Sequence, residues 1–276
     1  MQHKDEVLVQ LHAMFAKDEQ ATRCHHNYFT QEVTKDCRTK LVEWCYTVVD
    51  SFNLSRESVW RAMDILDRYL SSGKGLSAKA LENKPSFQLA CTVCLYIAVK
   101  VHEDVEMTIA FLVKLCQSYY TASEFINMEH DILFALQWSI CKTTPLDFVK
   151  CLLLQSDSFD AETTDFILDI AQKQMDRVTS DVYFASCKRL SVGIVCLGAA
   201  LVESDVTLAE QEEFWSQLSP MLNFDFASKE VREVERRMLS GYPINETEVQ
   251  SKLVLSKTAK QKSLPNDEQI SPVSIF

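Results

Sequence analysis

Residues 85–103 read PSFQLACTVCLYIAVKVHE, and this stretch decides the fold. From Phe87 to Val99 nearly every side chain is apolar, which predicts a helix buried on all sides. Pro85 suits the first turn of such a helix, where a backbone N–H has no partner to lose. A second stretch, VGIVCLGAALV at residues 192–202, has the same character. Both fall short of the ~18 apolar residues that a membrane span needs. The sequence therefore predicts two helical bundles in tandem, each around a buried central helix.

Amphipathic segments flank both central helices, as expected for bundles that wrap a buried helix. Before the first central helix, one stripe begins with Arg38 and continues through Leu41 and Cys45 at steps of three and four. The predicted helices of the first set are 38–52, 59–70, 85–100, 108–117 and 122–136, after an N-terminal helix at 7–15. Those of the second set are 146–154, 161–178, 183–202, 208–222 and 230–239. The fold class predicted is all-α.

The predicted helices divide the chain into four parts. Residues 1–36 hold an N-terminal helix and a linker, 37–141 the first five-helix bundle, and 142–244 the second. From about residue 245 the apolar periodicity fades into Ser, Lys, Gln, Asn and Pro. Such a composition cannot bury enough apolar surface to fold, so 245–276 is predicted to be a disordered tail.

Composition and motifs favour a protein-binding role over catalysis. The net charge of -11 argues against nucleic-acid binding, which needs a basic face. No basic segment followed by an apolar core opens the chain, so we expect no secretory route and reduced cysteines. Cys91 and Cys94 have CxxC spacing, yet they lie inside an apolar helix without a second pair, which favours core packing over a metal or redox site. No phosphate loop, metalloprotease, nucleophile-elbow or kinase motif occurs. We therefore expect no catalytic residues, no metal, no cofactor and no membrane contact.

Several runs between residues 18 and 148 resemble the cyclin family, in the correct order and spacing. CRTKLVEW at 37–44 resembles MRAILVDW of the cyclin box, and LDRYLS at 66–71 resembles (Y/I)DRFLS. The central helix, from FQLA at 87–90 to AVKVHE at 98–103, resembles LQLVG…ASKFEE. NMEHDIL at 127–133 resembles RMEHLVL. Trp138, followed by Pro145 and Phe148, resembles the start of the family's second fold. The chain is thus identified as a cyclin with two tandem cyclin folds.

The family's five near-invariant residues are matched here by Arg38, Asp67, Leu89, Lys100 and Glu129, and the resemblance implies roles for all of these except Leu89. An arginine on a buried stripe needs a partner, since a lone desolvated charge is costly, and the family arrangement supplies Asp67. The alternative is an unrelated surface arginine and aspartate. The resemblance implies that Lys100 and Glu129 bind backbone groups of a kinase's C-helix. The alternative is that Lys100 only complements the helix dipole and that Glu129 is a solvated side chain.

The family's substrate-docking patch, which binds RxL peptides, is degenerate in this chain. Leu41, Trp44 and Gln88 remain. The three positions that depart from the family are Cys37, Lys40 and Thr47, in place of Met, Ile and Glu. RxL docking is therefore expected to be weak.

The resemblance implies a regulatory subunit that binds and activates a cyclin-dependent serine/threonine kinase with a PSTAIRE-like C-helix, and so controls cell-cycle progression. Further partners would be protein substrates or inhibitors, without nucleic acid, and the location would be nucleus and cytoplasm. No RxxLxxxN destruction box is obvious, and this absence, with NYF at 27–29, favours a G1, D-type-related cyclin over a mitotic one. The alternative is a cyclin-fold transcription scaffold, whose DNA-facing surface should be basic.

Overall fold

The structure, a computed structural model, describes residues 2–21, 24, 28–204, 206–222, 224–226 and 228–240. Within this part of the chain all regular structure is helical, which confirms the all-α fold class, and no helix there is long and apolar enough to cross a membrane. The α-helices are α1 (Gln2–Gln20), α2 (Lys35–Ser51), α3 (Glu57–Ser72), α4 (Ser77–Ala80), α5 (Lys84–His102), α6 (Ile109–Leu115), α7 (Ala122–Ala135), α8 (Pro145–Gln155), α9 (Ala161–Val178), α10 (Arg189–Glu203), α11 (Leu208–Leu222) and α12 (Lys229–Ser240).

The first compact unit, here called the first bundle, holds the described residues of 23–142 together with 179–186. Its central helix is α5, whose side chains from Phe87 to Val99 are all buried. The side chain of Asn83 starts the helix by accepting a hydrogen bond from the N–H of Ser86 at 2.9 Å. Helices α2, α3 and α7 pack against α5. Each large apolar side chain buried there contributes about 1.5–3 kcal/mol, so α5 fixes the arrangement of its neighbours.

The second compact unit, the second bundle, forms around α10. It holds the described residues of 1–22, 143–178 and 187–265. Every side chain of α10 from Leu190 to Leu197 is buried, and α8, α9 and α12 pack against it. Gly193 allows α8 to approach closely, since a Cβ at this position would lie 2.6 Å from the carbonyl oxygen of Pro145. The buried central helix predicted for this half of the chain is therefore present.

Residues 179–186 differ from the predicted helix at 183–202. The structure has a 3-10 helix at Phe184–Ser186, and α10 begins only at Arg189. The cause is tertiary: Val182 is 3% exposed and belongs to the hydrophobic core of the first bundle. Because this segment packs in the first bundle, its residues do not form additional turns at the start of α10.

The loop predicted between residues 71 and 84 is partly helical. Helix α3 continues to Ser72 and ends at Gly73, whose φ of 62° is left-handed and favours glycine. The short helix α4 follows at Ser77–Ala80. This segment is therefore folded against the bundle, where α4 packs on α3 and α5.

The predicted division at residues 36, 141 and 244 stays a prediction. In the structure α1 packs against α8 and α10 of the second bundle, although it precedes the first bundle in the chain. The tail predicted at 245–276 lies outside the described residues.

Candidate functional site

The structure brings Arg38 and Asp67 together inside the first bundle. Arg38 lies on α2 and Asp67 on α3, and their side chains are 2% and 1% exposed. Nη1 of Arg38 donates to Oδ1 of Asp67 at 2.6 Å, and Nη2 donates to Oδ2 at 3.0 Å. This bidentate contact has the geometry of a strong charge-assisted pair. It joins α2 to α3, as the resemblance implied.

Other polar groups complete this buried pair. The hydroxyl of Tyr28 donates to Oδ1 of Asp67 at 2.6 Å and accepts from Nη1 of Arg38 at 3.0 Å. Arg38 also donates to the carbonyl oxygens of Ser180 and Thr179, each at 3.1 Å. Burial alone lowers the pKa of Arg38, but the facing Asp67 carboxylate and the Tyr28 hydroxyl outweigh it and leave the pKa above its ordinary value. The guanidinium is therefore charged and fully engaged.

Sequence reasoning did not find Tyr28, Thr179 or Ser180 as partners of Arg38. The two carbonyls lie 141 and 142 residues away along the chain. A backbone carbonyl carries no side-chain signature, so no motif could have indicated them. For Tyr28 the available signal was an aromatic residue with a polar hydroxyl shortly before α2, which is too common to be specific.

Lys100 and Glu129 form a second ion pair, at the surface of the first bundle. Lys100 is in the last turn of α5, Glu129 is near the middle of α7, and Nζ lies 3.1 Å from Oε1. The hydrogen bond to Glu129 raises the pKa of Lys100 above its ordinary value. The Lys100 side chain is 56% exposed, and its ammonium also lies 5.3 Å from the centroid of the Tyr96 ring. The ammonium can donate to a partner's carbonyl, and the carboxylate can accept from a partner's N–H.

Three large apolar side chains of α7 and of the turn after it are exposed. Ile126 and Phe134 on α7 and Trp138 just after it are 52%, 58% and 64% exposed. The rings of His130 and Phe134 are 4.3 Å apart, and those of Phe134 and Trp138 are 6.2 Å apart. This aromatic surface could not be predicted from the sequence, because apolar residues on a helix are first assigned to its buried face. Neighbouring aromatic side chains that lie exposed are typical of protein interfaces.

The three remaining docking-patch residues are all buried. Leu41, Trp44 and Gln88 are 1%, 5% and 3% exposed. Oε1 of Gln88 accepts a hydrogen bond from the hydroxyl of Tyr120 at 2.6 Å. Nε1 of Trp44 has no hydrogen-bond partner among the described residues. These side chains offer little open apolar surface to a docking peptide.

The three substituted patch positions have local partners. Lys40 pairs with Asp36 at 3.0 Å, and its side chain is 44% exposed. The hydroxyl of Thr47 donates to the carbonyl of Glu43 at 3.0 Å. Cys37 is only 3% exposed, so a methionine there would have to be packed inside the bundle. The surface of the patch therefore differs from the family mainly at Lys40 and Thr47.

We expect an RxL peptide to bind this chain weakly, and the double change Lys40→Ile, Thr47→Glu to strengthen binding about tenfold or more. An isoleucine supplies an apolar wall for the peptide's leucine, and a glutamate can pair with its arginine. Each change contributes about 1 kcal/mol, or five- to tenfold in affinity. A fluorescence-anisotropy titration of a labelled RxL peptide measures this, with a peptide lacking the arginine and leucine as the control. Tight binding by the natural chain would contradict the expectation.

The two cysteines with CxxC spacing are core residues of the first bundle. Cys91 and Cys94 are both fully buried in α5, and burial raises the pKa of Cys94 well above its ordinary value. Buried, protonated thiols are poor nucleophiles and poor metal ligands. Over the described ranges, no group of three or more His, Cys, Asp or Glu side chains is placed to hold a metal ion.

The first bundle thus carries an ion pair at its surface and a group of exposed aromatic side chains on α7, and both kinds of group are suited to binding another protein. Residues 10–141 match the family model for the cyclin N-terminal domain. This part of the chain belongs to the cyclin family, as the resemblance of its motifs indicated.

The similar proteins are viral and cellular cyclins. The chain is 28% identical over 229 residues to the cyclin homolog of Saimiriine herpesvirus 2 (strain 11), which covers 79% of this chain and 82% of the relative. It is 25% identical over 194 residues to cyclin-B2-1 of Arabidopsis thaliana, covering 66% of this chain and 44% of that protein. It is 25% identical over 150 residues to the G2/mitotic-specific cyclin-A of Hydra viridissima, covering 54% and 34%. The chain thus spans less than half the length of these two cellular relatives.

The X-ray structure of a viral cyclin from herpesvirus saimiri has the same fold. It superimposes with a TM-score of 0.66 at 23% sequence identity, over 84% of this chain and 97% of the viral one. The assignment to the G1, D-type-related cyclins stays a prediction.

Proposed function

We propose that this chain is a regulatory subunit that binds and activates a cyclin-dependent serine/threonine kinase and thereby controls cell-cycle progression. Membership of the cyclin family supports a regulatory role beside such a kinase. The observation that carries the proposal is the Lys100–Glu129 pair at the surface of the first bundle, because its ammonium can donate to one partner and its carboxylate can accept from the same partner. We place this activity in the nucleus and the cytoplasm.

In the proposed mechanism the ion pair holds the kinase's C-helix. The ammonium of Lys100 donates to backbone carbonyls of that helix, and the carboxylate of Glu129 accepts from its backbone N–H groups. The exposed rings of Phe134 and Trp138 cover its apolar side chains. The C-helix moves inward, so that its glutamate meets the lysine that binds ATP. Activation is then a shift of the kinase population toward the ordered active site, driven by tighter binding to that state.

This chain itself would contribute no catalytic group. Cyclin-family proteins are regulatory rather than catalytic, and the proposed surface contains groups that bind a helix. The second candidate, a cyclin-fold transcription scaffold, requires a basic surface facing DNA. The net charge of -11 favours the kinase partner.

Copurification with a kinase tests the proposal. The tagged full-length chain, expressed in eukaryotic cells, is expected to capture a kinase with a PSTAIRE-like C-helix. Adding the purified chain to that kinase alone should raise phosphorylation of a peptide substrate. A chain that captures general transcription factors and no kinase would favour the scaffold instead. Capture of the kinase without any gain in activity would contradict activation.

A further inference from the structure

The turn after α7, at Gln137 and Trp138, has an unusual backbone. Their φ angles are 52° and 59°, in the left-handed region that bulky side chains rarely adopt. Two hydrogen bonds close the turn: the N–H of Trp138 donates to the carbonyl of Leu133 at 2.9 Å, and that of Gln137 donates to the carbonyl of Phe134 at 3.0 Å. A strained turn persists only where its surroundings hold it. Trp138, the second residue of this turn, is 64% exposed.

The side chain of Arg68, on α3, holds the residues directly after this turn. Nη1 donates to the carbonyl oxygen of Ser139 at 2.5 Å, and Nη2 donates to that of Ile140 at 3.1 Å. Nε donates to Oδ2 of Asp64 at 2.8 Å, one helical turn earlier on α3. The Arg68 and Asp64 side chains are only 12% and 15% exposed, so the guanidinium is fixed in its orientation. Because the guanidinium is planar and rigid, its hydrogen bonds to two successive carbonyl oxygens constrain the backbone conformation of Ser139 and Ile140.

Arg61, one turn before Asp64 on the same helix, is a matched comparison. It pairs with Glu57 at 2.6 Å, also four residues earlier, and donates to the carbonyl of Lys142 at 3.3 Å. Arg61 and Arg68 thus have the same kind of partners on α3. Arg68 in addition binds the carbonyl oxygens of Ser139 and Ile140, one and two residues after Trp138.

We propose that Arg68 is a positioning residue of the partner-binding surface: it holds the Trp138 turn in its left-handed conformation and so presents the indole to the kinase. The inference rests on the proposed function, because the kinase is the partner that would contact the indole. A purely structural arginine would stabilise the bundle without acting through Trp138. The variant Arg68→Lys distinguishes the two roles. A lysine can still pair with Asp64, but its ammonium cannot bind both carbonyl oxygens.

Amide hydrogen exchange on the full chain tests the positioning without any partner. In Arg68→Lys the amide of Trp138 is expected to exchange at least tenfold faster, while the amide of Ile132, inside α7, keeps its rate. Arg61→Lys should change neither rate. If Trp138 exchange is unchanged in Arg68→Lys, or if Ile132 accelerates equally, the positioning role is overturned, whatever the binding results are.

A double-mutant cycle tests the link to the partner. Binding of a recombinant cyclin-dependent kinase with a PSTAIRE C-helix is measured for the natural chain, Arg68→Lys, Trp138→Ala and the double variant. We expect Arg68→Lys to weaken binding five- to tenfold in the natural background and less than twofold in the Trp138→Ala background. Equal losses in both backgrounds overturn the proposal. If the natural chain does not bind the kinase, the proposed function fails, and the exchange rates alone decide the role of Arg68.

Discussion

Arg38→Ala is expected to lower the free energy of unfolding by about 3–5 kcal/mol, because it leaves a buried carboxylate without its counter-charge. Asp67 would keep only the hydroxyl of Tyr28 as a described partner, and the carbonyls of Thr179 and Ser180 would lose their donor. Since whole domains are stable by only about 5–15 kcal/mol, the first bundle would be close to unfolding. Urea denaturation of the full chain, followed by circular dichroism, measures the loss.

Lys40→Ala is the matched control, two residues away on the same helix. Lys40 also forms an ion pair, with Asp36 at 3.0 Å, but those side chains are 44% and 71% exposed. A pair this exposed contributes less than about 1 kcal/mol, so the midpoint should hardly move. The double variant Arg38→Ala, Asp67→Ala should cost clearly less than the sum of the two single changes. A midpoint for Arg38→Ala equal to that of Lys40→Ala would show that the buried pair contributes no stability.

Local sequence patterns were sufficient to predict most of the helices. The buried helix α5 follows from its continuous apolar run, and α7 begins where Thr121 and Glu124 form a capping box. The start of α10 could not be predicted in the same way. Residues 183–186 were predicted to be the first turn of that helix, yet this segment, with Val182, packs in the first bundle. The spacing of apolar residues shows which of them lie on the same face of a helix. It does not show against which part of the protein that face packs.

The candidate site was predictable where side chains carry the chemistry. Arg38 on a buried stripe required a counter-charge, and the motif resemblance placed Asp67, Lys100 and Glu129. The Arg68 contacts could not be predicted, because they involve backbone carbonyls and a left-handed turn at Trp138. A tryptophan in a sequence normally indicates core, and only the backbone geometry shows that this one is exposed.

Lys100→Ala with Glu129→Ala is expected to abolish activation of the kinase while the fold is kept. The Lys100 side chain is 56% exposed and the Glu129 side chain 16% exposed, so solvent screens the pair at its lysine end and its loss should change the free energy of unfolding by about 1 kcal/mol. At an interface, central residues cost about 2–4 kcal/mol when truncated, which corresponds to a roughly 30- to 1,000-fold loss of affinity. Phosphorylation of a peptide substrate by the kinase, measured over a range of concentrations of the variant, checks the expectation.

The matched control is the removal of another exposed ion pair, with Lys173→Ala and Asp169→Ala. These residues lie four apart on α9, 2.5 Å from each other, and their side chains are 61% and 60% exposed. Removing this pair should leave both melting and kinase activation unchanged. Equal losses of activation from the two double variants would mean that any surface ion pair matters, and would contradict the assignment of the site.

Exchanging the two charges separates a partner-binding role from an internal one. In the variant Lys100→Glu, Glu129→Lys the residues can still pair with each other, although a glutamate at the end of α5 opposes the helix dipole at a cost of about 0.3–1 kcal/mol. If the pair served only to join α5 to α7, this variant would activate the kinase normally. If Lys100 donates to the kinase's carbonyls and Glu129 accepts from its N–H groups, the reversed groups present the wrong polarity to the same helix. We therefore expect the exchanged variant to fold, to melt within a few degrees of the natural chain, and to fail to activate the kinase, while full activation would assign the pair a structural role alone.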